Sequence, residues 1–471
     1  MRLKRAPRTA MPIWGGAILV VLSAMLGGAL ICNSGCQPRN KSHDNRTVVS
    51  VWHPWGSDQI GALRAIVAEF EKEHPHIRIK LSYASNNLTN SQKLLLAIAG
   101  GVAPDVTFVD GQQLAEWAAR GALTDITSQV RAAHLGEKDF FKPRWEESTF
   151  QEHVYALPWG ADPNFALVWN KRLFKQCGLN PNKPPTTIAE LDADNDKITK
   201  LDAHGGIVRM GIIPWDVGGD LSGDNAMFTW GYAFGGDFYI PPKPGQLVGT
   251  VTADNPHNVA ALAWLASYGK KYNMRKIMAF RGGFLGQANN PLYLDRLGME
   301  VMHITQIPFI HRYAPGLDYG ITFVPAPPGG EYHSGWIGGW SLAIPRGAKV
   351  TPAAFEFIRW MCTSDAGTMA MGKQMTLFPA YKASPFYPTI KNDPVLGVYY
   401  QILIHSKHVR TLMPVQGYFM DLLRRGFAEV MYTANESNPA NPKDVLHDIS
   451  IKAQDRLEQV MREVERRKED Q

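Results

Sequence analysis

Thirteen Trp and 16 Tyr supply this chain with many flat aromatic faces. Trp52 and Trp55, Trp159, Trp215, Trp230 with Tyr232, Trp336 and Trp340 fall in or beside Gly/Pro-rich stretches. A ring face next to Asp, Asn, Gln or Ser suits a ligand with apolar C–H faces and a hydroxyl rim, as a sugar has. For any single Trp, core packing is the commoner role. The set carries more weight than its members, because several adjoin glycine, where backbone can approach a ligand closely.

Catalytic motifs are missing. There is no G-x-x-x-x-G-K-[ST] phosphate loop, no G-x-S-x-G nucleophile elbow and no H-E-x-x-H. His74 and His76 flank Pro75 without a carboxylate or Cys at ligand spacing, so they read as surface histidines and no metal is expected. Asp192, Asp194 and Asp196 imitate the start of a calcium loop, but Lys197 stands where that loop needs Gly and Ala203 where it needs Glu. No cofactor and no catalytic residue is assigned. A pair of carboxylates for glycoside hydrolysis need not be close in sequence, so a glycan-active enzyme stays open as an alternative.

Elements that could position the aromatic and polar groups follow from periodicity. Val48–Trp52 reads as a short buried strand, and Ile60, Leu63, Ile66, Val67 and Phe70 recur at helical spacing until Pro75 stops the helix. Ile77–Leu81 alternates as a strand, Thr89–Ala99 is a helix ended by Gly100-Gly101, and Asp105–Val109 and Gln112–Ala119 are the next strand and helix. This β-α-β-α-β order implies an α/β protein with a parallel sheet covered by helices. Ligands of such sheets sit beyond the carboxyl ends of the strands. Here those ends are His53-Pro54-Trp55-Gly56-Ser57 and Asp110-Gly111-Gln112. Further on, helices are expected at 171–176, 186–200, 225–234 and 255–273, and strands at 166–169, 298–303, 320–324 and 336–344. Residues 237–249 read as a loop. The tail from 351 is mostly helical and ends in a charged helix near 442–469.

Hydrophobic residues make up 45% and charged residues 20%, which excludes global disorder. The formal charge is +6, from 49 basic and 43 acidic residues. Arg2, Lys4, Arg5 and Arg8 precede any acid, so the rest of the chain, with 45 basic against 43 acidic residues, is nearly balanced. That balance argues against a nucleic-acid partner. Four cysteines are too few for a disulfide scaffold; Cys177 and Cys362, 185 residues apart, read as two buried free thiols, with a disulfide between them as the alternative in an oxidising compartment.

The first 36 residues form an address. The basic start is followed by an uncharged run from Met11 to Ile31 and then Asn33-Ser34-Gly35-Cys36, which resembles a bacterial lipoprotein signal. Such a signal is cut before Cys36, whose thiol carries lipid; an uncleaved membrane anchor is the alternative. Either one tethers the chain outside the cytoplasm, with polar residues 37–47 as a linker.

Five stretches in order carry a more specific resemblance. They are Val49–Trp55 (VSVWHPW), Phe70–Ile79 (FEKEHPHIRI), Ala97–Asp110 with Trp117–Ile126 (AIAGGVAPDVTFVD, WAARGALTDI), Tyr155–Phe174 (YALPWGADPNFALVWNKRLF), and Gly335–Gly347 with Phe355–Met361 (GWIGGWSLAIPRG, FEFIRWM). Over roughly residues 47–435 the chain resembles family 1 of the extracellular solute-binding proteins, the maltose-binding-protein-like group serving ATP-driven sugar importers. The resemblance implies a two-lobed periplasmic-binding-protein type II fold with a hinge and an interlobe ligand cleft that closes on its ligand. It places chain crossings near Pro158–Asp162, Met299–Gln306 and Ile337–Ser341. One lobe would combine 47–158 with 303–337, the other 162–298 with 341–471.

By the same resemblance, Trp52, His53, Trp55 and Ser57 face the cleft, as do Asp110, Gln112, Trp159, Asp162 and Asn164. Trp340, in the GGW at 338–340, would be the main stacking aromatic, with Trp55 and Trp159 beside it. Trp215, Asp216, Trp230 and Tyr418 are further candidates. The implied partners are a carbohydrate and the permease subunits of an ABC importer, and the implied state is a monomer. A receptor for a sensor, or for a non-sugar solute, would present a similar cleft.

Overall fold

A computed structural model describes residues 45–56, 59–84, 88–243 and 245–469. The expected signal segment with Cys36, most of the linker, and Ser57 lie outside the described residues. The strands that frame the site are, in chain order, β1 (Thr47–His53), β2 (Ile77–Tyr83), β3 (Val106–Asp110), β4 (Ala156–Pro158), β5 (Asp162–Asn164), β6 (Ala166–Asn170), β7 (Met299–Met302), β8 (Tyr319–Phe323), β9 (Trp336–Gly338) and β10 (Trp340–Ala343).

Five of them make the first sheet, in the order β2-β1-β3-β10-β4. β1 runs parallel to β2 and β3, while β10 is antiparallel to β3 and β4. All five residues of β3 are buried, as expected for an apolar strand covered on both faces. Helix Ile60–Glu73 buries Leu63, Ile66, Val67 and Phe70, the periodic residues of the sequence. Phe70 packs edge-on against Phe357 and Trp360 of helix Thr351–Thr363, at 5.0 and 5.5 Å between ring centroids.

The second sheet has the order β7-β6-β8, with β6 antiparallel to both neighbours. Helices Asp224–Ala233, Pro256–Tyr272, Gln416–Thr433 and Pro442–Glu469 pack together in this lobe. The helix expected at 255–273 ends at Tyr272, because Asn273 turns to φ 66° and its side chain caps a new helix, Met274–Gly282. The loop expected at 237–249 contains a short strand, Tyr239–Ile240, paired with Thr250–Val251.

Strand pairing divides the chain differently from the expectation. The resemblance puts residues 303–337 in the first lobe, yet β8 pairs along its whole length with β6 of the second sheet. It puts residues 341–471 in the second lobe, yet β10 lies inside the first sheet, and helices Thr351–Thr363 and Asp365–Met375 pack on helix Ile60–Glu73. No crossing occurs at Met299–Gln306, since β7 and β8 share one sheet. Segments 158–162 and 338–341 are where the chain leaves or enters the first sheet, and 377–381 runs beside them. These three segments lie side by side. Trp159 and Gly160 N–H groups donate to the Trp340 carbonyl (3.0 and 2.9 Å), Ala161 N–H donates to Phe378 O (2.7 Å), and Ala380 N–H to Trp159 O (2.9 Å). Gly339 lies at φ 129°, and a Cβ there would come within 2.6 Å of Gly160 O, so the strand expected at 336–344 breaks into β9 and β10 at this glycine.

Candidate functional site

Asp110 ends β3 and caps helix Gly111–Ala119, accepting hydrogen bonds from Gln112 N–H (3.4 Å) and Gln112 Nε2 (3.0 Å). In the sheet it lies directly beside Trp340. Its carboxylate also meets Arg410, whose NH2 group is 3.3 Å away. Arg410 comes from the loop between helices Leu396–His405 and Gln416–Thr433, and its guanidinium lies 5.0 Å from the centroid of the Trp336 ring.

Trp55, just past the end of β1, joins an aromatic group. Its ring is 4.5 Å from Phe108, 5.2 Å from Trp159 and 5.6 Å from Trp340. Trp55 and Trp159 are buried, whereas Trp340 keeps part of its surface open. His53 stacks on Trp55 at 6.3 Å, and its Nδ1 is buried without a partner. Burial, and then the charge of Arg64, hold the His53 pKa below its ordinary value.

Beneath Asp110 lies a buried ion pair. Arg144, in helix Lys142–Glu146, is fully buried and pairs with Glu147. Its Nε donates to Gly160 O (2.8 Å) and its NH2 group to Ser341 Oγ (2.9 Å), so one guanidinium ties two of these three adjacent segments together. Gly111 lies against this pair: a Cβ there would fall within 2.4 Å of both the Arg144 guanidinium and the Glu147 carboxylate. Burial lowers the Arg144 pKa to about 10, against the raising effect of Asp110 and Asp162, so it stays charged.

Asp162 and Asn164 occupy β5, which pairs with β9 through Gly338↔Asp162 and Trp336↔Asn164. Both side chains are buried, and each keeps a side-chain oxygen without a partner. Burial raises the Asp162 carboxyl to about 6, against the charge of Arg144. Trp159 Nε1, Arg410 Nε and Gln112 Oε1 are buried without partners as well. Donors and acceptors left unmatched in this way cost free energy unless a ligand or water completes them.

Other sequence candidates are placed elsewhere. Trp52 belongs to a separate small cluster with Leu95 and Ile98, with Lys93 over its ring at 5.0 Å; alternation along β1 sets it on the face opposite His53. Trp215 is fully buried in the second lobe, 6.4 Å from Phe427. Trp230 donates to Pro214 O and packs against Trp264, so both serve the core. Asp216 is ion-paired with Arg281. Tyr418 is exposed within electrostatic reach of Lys452 on the C-terminal helix, and no ring contact joins it to the Trp55 group. Sequence reasoning missed Arg144, Arg410 and the pair Asp224–Arg424 (2.8 Å). No local pattern marks their roles, because Arg410 and Arg424 pair with carboxylates 300 and 200 residues away, and Arg144, besides its neighbour Glu147, bonds Ser341, 197 residues on. Of the two thiols, Cys362 is buried and free, while Cys177 is free but only half-buried, with Arg209 donating to its sulfur at 3.2 Å. Among the described residues, no group of three His, Cys, Asp or Glu could hold a metal ion.

The description "bacterial extracellular solute-binding protein" matches residues 56–368, more than half of the chain. The chain belongs to this family. Among the relatives of this solute-binding protein, the maltotriose-binding protein of Pyrococcus abyssi is 23% identical over 76% of the chain and 72% of that protein. The multiple sugar-binding protein of Streptococcus mutans is 22% identical over 73% of the chain and 78% of its own length. An uncharacterized lipoprotein from Streptomyces antibioticus is 28% identical, but the match spans only 32% of this chain and 33% of that protein. Among solved structures, CpMnBP1 with mannotriose bound superposes with a TM-score of 0.74 at 26% identity, covering 87% of this chain and all of that one (100%). The two-lobed architecture and the extracytoplasmic setting follow from this membership. No described helix is long and apolar enough to cross a membrane.

Proposed function

We propose that this solute-binding protein receives a carbohydrate in the seam between its lobes and delivers it to the permease of an ABC importer. The observation that carries the reading is the set of unmatched buried polar atoms on Trp159, Asp162, Asn164, Gln112 and Arg410, grouped with the Trp55–Trp340 aromatics. Donors and acceptors of both kinds beside ring faces suit hydroxyls on a pyranose, and a dry seam strengthens each bond. Relatives named for maltotriose, multiple sugars and mannotriose bind ligands of this class.

Trp340 stacks on the sugar, Trp55 and Trp159 support it, and Asp110, Gln112, Asp162 and Asn164 bond its hydroxyls. Lobe closure over the ligand is the signal that the permease reads. The protein acts as a monomer without catalysis or cofactor, held at the membrane by lipid on Cys36. Thermal unfolding of residues 37–471 against mono- and oligosaccharides tests the reading. A ligand at 100 times its Kd adds about 2.7 kcal/mol, a rise of about 3 °C for a chain of this size. A rise confined to one sugar series without product formation supports it. No rise with any sugar, or hydrolysis of one, overturns it.

A further inference from the structure

We propose that His408 is a positioning residue for Arg410: its imidazolium latches the loop that presents Arg410 to Asp110, so that solute is held more tightly while His408 is protonated. The proposal goes beyond the carbohydrate reading. It needs Arg410 beside the site, whatever solute the site takes.

The latch joins three elements. His408 Nε2 lies 3.0 Å from Glu331 Oε2, in the turn ahead of β9, and its Nδ1 lies 3.7 Å from Asp237 Oδ1, shortly after helix Asp224–Ala233. The ring stacks flat on Tyr232 of that helix, at 4.2 Å between centroids and 12° between planes. An imidazolium turns an N–H toward each carboxylate at once, whereas a neutral ring has a single N–H to give. Both acids are held by their own backbone. Glu331 N–H donates to Ala233 O (2.9 Å), and Asp237 O accepts from Asn255 Nδ2 (2.6 Å), Asn258 Nδ2 (2.8 Å) and Thr252 Oγ1 (3.0 Å).

The backbone passes this restraint to Arg410. His408 O accepts Ile337 N–H (2.9 Å), and His408 pairs with Trp336, whose other partner in the ladder is Asn164 of β5. Tyr232 Oη donates to Val409 O (2.5 Å), so the ring beneath His408 also holds the residue between His408 and Arg410. Arg410 follows, with its guanidinium over Trp336 and against Asp110. Loosening His408 therefore loosens the chain two residues from the cation at the seam.

Charges around the ring set the direction of its titration. Burial disfavours the imidazolium, but Asp237 and Glu331 outweigh it, and the His408 pKa lies above its ordinary value of 6.5. Lys407, on the same loop, lies 3.4 Å from Glu331 Oε1, and His333 also feels Glu331. Lys407 is largely exposed, so solvent screens its hold on Glu331. Tyr232 stays neutral, since burial pushes its hydroxyl far up against the nearby charge of Arg410. The native protein thus binds the His408 proton more tightly than the unfolded chain does. The latch is complete below 6.5 and released as pH rises through the raised value.

His408→Gln tests the proposal, because the amide keeps a donor but cannot titrate. Wild type and variant are compared at about pH 6 and about pH 8.5, on either side of the expected titration. Amide hydrogen exchange over residues 406–411, corrected for the pH dependence of the chemical rate, needs no ligand. Protection there should fall at least about fivefold in wild type and stay level in His408→Gln. Calorimetry with mannotriose and with maltotriose reads the site itself. Wild-type affinity should fall at least about fivefold across the same range and that of His408→Gln by less. In an Arg410→Met background, His408→Gln should make no further difference, as expected if His408 acts through Arg410. Wild-type protection that stays constant, or falls equally in both proteins, overturns the latch. So does an affinity profile that His408→Gln leaves unchanged, or changes equally with and without Arg410. If neither trisaccharide binds, the carbohydrate reading fails, and the exchange comparison decides the latch alone.

Discussion

Arg410 contacts Asp110 across 300 residues of chain, with its NH2 group 3.3 and 3.5 Å from the two carboxylate oxygens. Asp110 ends a strand of the first lobe, and Arg410 rises from a loop that His408 O anchors to β9 by accepting Ile337 N–H (2.9 Å). One ion pair thus spans the seam at the point where Trp340 is partly open. Both side chains are mostly buried, so solvent screens the pair weakly.

Arg410→Met should weaken ligand binding by about 10- to 100-fold, the loss of one charge-assisted hydrogen bond worth about 1.5–3 kcal/mol. It should also lower stability, because Asp110 then lacks its cation. Arg410→Lys should fall between, since an ammonium cannot reproduce the planar contact with Trp336. Calorimetry and chemical denaturation on the same samples separate the two effects, and unchanged affinity in Arg410→Met would remove the residue from the site.

Trp340 and Trp159 should respond to truncation in opposite ways. Trp340 is partly open, so Trp340→Ala should cost mainly affinity, at about 0.5–1.5 kcal/mol of stacking, with a small change in stability. Trp159 is fully buried among Phe108 and Trp55, so Trp159→Ala should cost about 3–5 kcal/mol of stability before any effect on ligand can be read. Tryptophan fluorescence during titration reports the first, and urea midpoints the second. Loss of stability in Trp340→Ala equal to that in Trp159→Ala would contradict this division.

The first three strands and their helices were legible because each is a local pattern of apolar residues bounded by Pro or Gly. Leu63 and Phe70 are buried where helical spacing places them, and Val49 and Val51 are buried in β1, though Val48, expected in the same buried strand, is 45% exposed. The grouping of the aromatics was legible too: Trp159 and Trp340 lie 5.2 and 5.6 Å from Trp55, centroid to centroid, with Asp110 beside Trp340. What failed was strand partnership. Tyr319–Phe323 looks the same in sequence whichever sheet it joins, and its antiparallel register with Ala166–Asn170 is a non-local choice. Buried arginines escaped for the same reason. Arg144 sits in an ordinary polar helix start, and only the folded chain shows Gly160 and Ser341 as its acceptors.

Arg144 is expected to govern the hinge. Arg144→Met leaves Glu147 charged and unpaired in a buried place, a loss of about 3–5 kcal/mol. Adding Glu147→Leu should recover much of the stability without restoring the bonds to Gly160 and Ser341. The double variant should therefore fold yet bind ligand more weakly, with less compaction on saturation in small-angle scattering. Gly111→Ala should disturb the same pair by direct contact. A double variant with wild-type affinity and compaction would assign Arg144 to stability alone.

Dependence on pH gives a further handle on the second lobe. Burial raises Glu300 from 4.5 to about 8, and the charge of Asp216 adds to the rise. A carboxyl with a raised folded-state pKa binds its proton more tightly in the native protein. Its contribution to stability is complete below about 4.5, the unfolded value, and is lost as pH rises through about 8. Asp162 follows the same sign between 3.8 and about 6. His303, lowered to about 4 by burial and by Arg410, opposes it, costing stability as pH falls below 6.5. Above pH 6.5 the His303 effect is spent, so that range isolates Glu300 when wild type is compared with Glu300→Gln. Wild-type melting temperature should fall from pH 6.5 to 9 more steeply than that of Glu300→Gln, because the amide cannot ionise. Parallel curves for the two proteins would show that Glu300 is already charged in the native state.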